Sequence, residues 1–257
     1  MQLRAVQMGE GGGTPLVLLH GLFGQAQNFA QVQKALAATR RVIALDLRNH
    51  GGSPHDAAMD YPAMAEDVEE TLEAMDVAGA AVLGHSMGGK VAMRLALTAP
   101  RRVERLIVAD IAPVDYPPAF RPYAQAMLAL PLRPGLSRRE ADAALADAVP
   151  DGGVRGFLLQ NLRLDGEAPG WKIGLREIAD ALPSIEAAPP LPEGAQYEGP
   201  VLVLSGEKSN YVGPEHRPLF RTLFPAARFG SVKGAGHWVH AERPEGFVAA
   251  VAAFLPA

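Results

Sequence analysis

The chain contains no cysteine, which excludes disulfide bridges and thiolate metal sites and removes the usual sign of an oxidising compartment. It also lacks an excess of charge. With 24 basic and 28 acidic residues the formal net charge is -4, and the basic residues are scattered rather than blocked. Neither nucleic acid nor an anionic membrane finds a long-range attraction here. No stretch approaches the roughly 18 consecutive apolar residues of a membrane span. The opening "MQLRAVQMGEGGGTP" has no basic segment followed by an apolar run. The expectation is a soluble, unprocessed, cytoplasmic chain. Internal repeats are absent, and low complexity is confined to the glycines at 11–13 and the proline-rich linker at 189–192.

What the chain does have is enough apolar material for one large core: 257 residues, 48% of them hydrophobic. Short Val/Ile/Leu/Ala runs recur at 16–21, 41–48, 80–86 and 105–112. Runs of this kind suit strands buried on both faces of a parallel sheet. Between them "QNFAQVQKALAA", "YPAMAEDVEETLEAMD" and "MGGKVAMRLALTA" carry apolar residues at helical spacing, each about long enough for a crossover. Two further strands, at 201–206 and 227–234, bracket the helix-like "PEHRPLFRTLF", and "PEGFVAAVAAFL" closes the chain as a helix. The fold class is therefore α/β, with a mostly parallel central sheet and helices on both faces.

The pattern breaks between Pro113 and Pro200, where prolines and helix-like pieces such as "SRREADAALADAV" and "FLLQNLRL" replace strand runs. An insertion of this size in a compact domain commonly serves as a lid or binding element. The expected division is a core of 1–112 and 200–257 carrying a helical cap of 113–199.

The stretch "LGHSMGGKVAM" admits two chemistries. Read as a glycine, four residues, then Gly89 and Lys90, it approaches a phosphate-binding loop, with Asp110 of "RLIVAD" in the place of a magnesium-binding carboxylate. That reading fails at Val91, which has no hydroxyl for a metal, and it leaves Lys90 as an expected surface lysine. Read as G-x-S-x-G it is a nucleophile elbow, in which Ser86 sits on a strained strand-to-helix turn and Gly84, Gly88 and Gly89 permit close backbone approach.

A serine hydroxyl is a weak nucleophile unaided, so the elbow requires oxyanion donors, a base and an orienting acid. The sharp turn after "LVLLHG" offers the backbone N–H of Leu22, to be paired with that of Met87; His20 is expected to hold this turn. Of the seven histidines, His85 faces away from Ser86, while His55 and His216 lie in surface-like contexts. His50 could line the pocket. His237, on the glycine-loosened loop "GAGHWVHAERPEGF", is best placed to reach back over the sheet, with His240 as its rival. The usual position for the acid, after the strand "VLVLSG", holds Ser209 and Asn210, neither of which can stabilise an imidazolium as a carboxylate does. One strand earlier, Asp110 ends a buried run beside the nucleophile strand; Glu207 is the substitute and Asp115 a third candidate.

With these residues placed, the chain resembles the α/β-hydrolase superfamily, and within it the bacterial YbfF-like esterases and their abhydrolase-domain-11 relatives. The matching pieces, in order, are "HGLFG", "DLRNHGGSPH", "YPAMAEDV", "GHSMGGKVAM", "DIAPVDY", "GEKSNYV" and "GAGHWVHAERPEGF". The resemblance implies that Ser86, Asp110 and His237 match the triad, with the acid in that subfamily's displaced position. It also implies a helical cap, to which "NLRLDGEAPGWKIGL" looks similar.

The expected activity is hydrolysis of small to medium acyl esters or thioesters through an acyl-enzyme, requiring no metal, nucleotide or organic cofactor. The alternatives are another carbonyl substrate (an enol-lactone or a C–C bond), cofactor-free perhydrolysis, and, outside enzymes, a ligand receptor on a hydrolase fold. The expected pocket lining is Phe23, Asn49, His50, Tyr211 and Trp238, joined from the insertion by Phe120, Tyr123, Leu159 and Trp171.

Overall fold

The computed structural model describes residues 1–165 and 168–255. Gly166 and Glu167 of the cap-like segment, and Pro256 and Ala257 at the end of the expected core, lie outside the described residues. Seven strands form one sheet in the order β1-β3-β2-β4-β5-β8-β9. These are β1 (Ala5–Gly12), β2 (Leu16–Leu19), β3 (Arg40–Leu45), β4 (Ala80–His85), β5 (Val103–Ala109), β8 (Val201–Gly206) and β9 (Ala227–Val232). All neighbours pair in parallel except β1, which runs antiparallel to β3 at one edge. β1 carries no apolar run, only alternating half-buried and exposed residues. For that reason the hydrophobic pattern does not announce it.

The central strands are buried on both sides because successive side chains point to opposite faces. Leu16, Leu18, Leu83 and Ile107 join one core with Phe29, Val32, Phe247 and Val251 of the helices on that face. Val17, Leu19, Val82 and Leu106 join the other with Val68, Leu72, Val91 and Phe220. The helices supplying these layers are α1 (Ala30–Leu36) and α10 (Pro244–Phe254) on the first face, and α2 (Tyr61–Ala74), α3 (Met87–Thr98) and α8 (Arg217–Leu223) on the second. α2 begins where Asp60 accepts the N–H of Ala63 and Pro62 has no N–H that would need an acceptor.

The stretch between β5 and β8 holds α4 (Arg121–Ala129), α5 (Arg138–Leu145), α6 (Gly152–Leu159) and α7 (Leu175–Glu186). The piece "FLLQNLRL", expected to be helical throughout, ends its helix at Leu159 and continues into a two-residue strand, β6 (Leu162–Arg163), paired with β7 (Gly170–Trp171). No helix among the described residues is long and apolar enough to cross a membrane.

One close approach positions the site. A Cβ on Gly84 would lie 2.0 Å from the Gly88 carbonyl oxygen, and one on Gly88 would lie 2.3 Å from that of Leu19. α3 therefore starts in direct backbone contact with β4 and β2. Gly84→Ala is expected to cost about 3 kcal/mol by overpacking, lowering Tm by roughly 6–12 °C in calorimetry. Gly156→Ala, on an exposed turn of α6 with open space around it, should instead stabilise by about 0.5–1 kcal/mol.

Candidate active site

β4 ends at His85 and α3 begins at Met87, so a single residue, Ser86, makes the turn, with φ 53° and ψ -123°. This left-handed backbone is strained for a residue with a Cβ. Asp110 at the end of β5 has φ 54° and Phe23 after β2 has φ 59°, so three adjacent strand ends carry the same departure. The Ser86 N–H donates to the Ala109 carbonyl at 3.0 Å, tying the first of these turns to the second.

The geometry brings Ser86, His237 and Asp110 into one line. The Ser86 hydroxyl lies 3.1 Å from His237 Nε2, and His237 Nδ1 lies 2.8 Å from Asp110 Oδ2. Asp110 is fully buried. Its Oδ1 accepts the Gly206 N–H at 2.9 Å, and its Oδ2 also accepts the hydroxyl of Ser209. Ser209, which cannot itself be the carboxylate, thus donates to it. Glu207 instead accepts the Gly234 N–H at 2.7 Å, and Asp115 accepts that of Ala188 at 2.7 Å; neither faces His237. The Tyr211 ring stacks on His237 with centroids 3.9 Å apart, limiting how the imidazole tilts.

The turn after β2 leaves few free donors. The N–H groups of Phe23, Gly24 and Gln25 go to His50 Nε2, the Gly21 carbonyl and the Asn28 side chain. Among the described residues no acceptor takes the N–H of Leu22 or Met87. This pair remains available beside Ser86 for an oxyanion.

A cavity of about 220 Å³ lies over Ser86 and His237, walled by Phe23, Tyr211 and Trp238 from the core and by Phe120, Tyr123 and Phe157 from the insertion. Ala119, Val154 and Leu158 complete the insertion's side. Leu159 and Trp171 do not line it: the Leu159 side chain is buried in the hydrophobic core, and Trp171 packs at the edge of that core in the small hairpin. Asn49 and His50, expected in the pocket, are absent from this wall, and both are wholly buried. Asn49 is consumed by hydrogen bonds to the Asp56 backbone, and its carbonyl accepts the Gly174 N–H at 2.9 Å. The two nitrogens of His50 are held between the Arg48 carbonyl and the Phe23 N–H.

Lys90 departs most from expectation. It is almost completely buried, one turn beyond Ser86, with its ammonium donating to the carbonyls of Val114, Glu186 and Ala187. Another buried carboxylate that the sequence did not single out, Glu186, accepts the N–H groups of Ala119 and Phe120. Asn161 donates to the Phe23 carbonyl at 2.8 Å, linking the end of α6 to the turn after β2. The expected rival base, His240, is buried against Phe29 and His85, and among the described residues its Nδ1 has no partner.

Four histidines around the site are held neutral. Burial pushes His240 down to about 4 and His50 down to about 3, in the latter case with added repulsion from His20. Burial likewise lowers His20 and, with the neighbouring His240 and His237, carries His85 well below its ordinary value. Each takes up a proton on unfolding below its unfolded value near 6.5 but not while folded. Stability is therefore retained above about pH 6.5 and lost as pH falls below it. Urea unfolding at pH 7 and pH 5 is expected to show a clearly lower midpoint at pH 5; equal midpoints would contradict the buried neutral assignment.

Comparison with known proteins shows the family of the chain. A family model described as "Alpha/beta hydrolase family" matches residues 16–250. The chain is similar to the sn-1-specific diacylglycerol lipase ABHD11 of Mus musculus, with 41% identity over 93% of this chain and 80% of that protein. It is also similar to Esterase YbfF of Escherichia coli (strain K12), with 37% identity over 94% of this chain and 93% of that protein. The solved structure of a marine microorganism esterase superposes with a TM-score of 0.94 and 33% identity, covering 99% of each chain. The chain belongs to the alpha/beta hydrolase family.

Proposed function

We propose that this hydrolase cleaves carboxylic esters of apolar acyl groups through an acyl-enzyme on Ser86. The observation that carries the reading is the unbroken contact from the Ser86 hydroxyl through both nitrogens of His237 to the buried Asp110 carboxylate. Ser86 Oγ attacks the ester carbonyl while His237 Nε2 takes its proton, and the tetrahedral oxyanion accepts the N–H groups of Leu22 and Met87. Losing one such donor typically costs about 2.7–4 kcal/mol in the barrier. His237 then returns the proton to the departing alcohol, and water repeats the sequence to release the acid. Asp110 fixes the imidazole so that Nε2 is the nitrogen facing Ser86, and it stabilises the imidazolium that forms.

The segment 113–199 is read as a cap over this site. Its aromatic and aliphatic wall supports an apolar acyl chain, and the diacylglycerol lipase and esterase names of its relatives support an ester over a thioester. A cytoplasmic setting is favoured by the absence of cysteine.

In purified protein, Ser86→Ala is expected to abolish fluorophosphonate labelling and to lower p-nitrophenyl ester hydrolysis by at least about 10⁴-fold with an unchanged melting curve. Retained turnover would refute the nucleophile. Asp110→Asn should lower kcat by roughly 10⁴-fold, whereas Glu207→Gln should leave kcat unchanged; the reverse outcome would move the acid to Glu207.

A further inference from the structure

The ammonium of Lys90 stands where the two roots of the insertion meet the helix that carries Ser86. Its backbone N–H donates to the Ser86 carbonyl at 3.2 Å, so the side chain leaves α3 one turn after the nucleophile. At its tip, Nζ lies 2.9 Å from the Val114 carbonyl on the outbound root and 3.4 and 2.5 Å from those of Glu186 and Ala187 on the return root. An ammonium has three N–H donors, and three carbonyls surround this one. The faces of Tyr61 and Tyr116 lie 5.6 and 5.0 Å from the charge.

The knot continues toward the site in both directions. The Glu186 carboxylate accepts the Ala119 and Phe120 N–H groups at 2.7 and 3.1 Å, setting the start of α4, and Phe120 walls the cavity. The Tyr116 N–H donates to the Glu186 carbonyl, its hydroxyl donates to the Tyr211 carbonyl, and the Tyr211 ring stacks on His237.

We propose that Lys90 is a positioning residue for ester hydrolysis: its charged amine ties both roots of the insertion to the nucleophile helix and so sets the apolar wall of α4 at the distance from Ser86 that a longer acyl chain requires. This rests on the serine hydrolase reading above. The groups facing the amine are Tyr61 from α2, Asp115 and Tyr116 from the outbound root and Glu186 from α7. Burial is the largest influence, and it brings Lys90 down to about 8 against the opposing pull of Asp115 and Glu186. A neutral amine has two N–H donors and a lone pair, so one carbonyl loses its partner and faces the lone pair. The clamp is whole below about pH 8 and loosens as pH rises through that value.

The test compares p-nitrophenyl acetate, too short to need the α4 wall, with p-nitrophenyl octanoate, at pH 6.5 to 9.5. In the unaltered protein, KM for octanoate should rise severalfold across about pH 8 while that for acetate stays level. Lys90→Met should raise octanoate KM about tenfold at pH 7, abolish its pH step, and leave acetate turnover and the rate of fluorophosphonate labelling of Ser86 within about threefold. An octanoate-to-acetate KM ratio that is constant with pH in the unaltered protein overturns the proposal, and that measurement needs no variant to fold. Equal losses for both esters and for labelling in a folded Lys90→Met protein also overturn it, because they mark general damage to the elbow. Should the unaltered protein neither label nor hydrolyse either ester, the serine hydrolase reading falls together with the proposal.

Discussion

Everything at the site depends on backbone touching backbone beneath it. With no Cβ at Gly84 or Gly88, the first turn of α3 settles against β4 and β2 closely enough that the chain must reverse within Ser86 alone. That reversal is what forces the left-handed φ and lifts the hydroxyl above the sheet end. The strain is held by the two parallel pairings on either side, since β4 is fixed by β2 from Ala81 to Gly84 and by β5 from Ala80 to His85. The same sheet carries the other two members of the site. Asp110 leaves β5 one strand over, and the loop holding His237 follows β9, so the three side chains meet at the carboxyl ends of the strands.

The position of the acid follows from the same order. β5 is the immediate neighbour of β4, whereas β8, which precedes Glu207 and Ser209, lies one strand further away. A carboxylate at the end of β5 starts one strand nearer to Ser86 than one at the end of β8. The chain compensates on β8 by placing there donors rather than a charge: the Gly206 N–H and the Ser209 hydroxyl both turn toward Asp110. A buried carboxylate without such partners would carry a heavy desolvation cost. Ser209 is thus informative in the sequence because it is not acidic, and its presence only makes sense with a carboxylate opposite.

The buried strands were legible because a run apolar at every position has only one comfortable place, between two helical layers. Ser86, His237 and Asp110 were legible because their residue types and strand-end placement carry chemistry. Direction was not legible. Asn49, His50 and Lys90 are polar, and the local sequence places the first two in a pocket-lining loop and the third at the surface. Their burial is licensed by partners 24 to 125 residues away, such as the Val114 and Glu186 carbonyls for Lys90 and Gly174 for Asn49. β1 was missed for the opposite reason: an edge strand paired on one side needs no continuous apolar run. The insertion's wall was read from aromatic residues, yet Leu158 rather than its neighbour Leu159 faces the cavity, a choice made by helix rotation that packing alone decides.

The seven histidines show how a common residue type is sorted into roles by what it touches. His20 and His50 each have one nitrogen against a carbonyl and the other against an N–H, an arrangement that requires one protonated and one bare nitrogen. These contacts write the neutral tautomer into the fold, and burial enforces it. His85 spends Nε2 on the His237 carbonyl, fixing the backbone of the residue beside it, and His240 is packed among aromatic rings. Among these, His237 alone has a carboxylate on one nitrogen and a hydroxyl on the other. In the proposed mechanism that pairing is what a base needs, because the proton gained from Ser86 creates a cation and Asp110 is the counter-charge already in place. The surrounding neutral histidines then serve the same end: a wall of imidazoles that resist protonation adds no competing positive charge beside the one that must form.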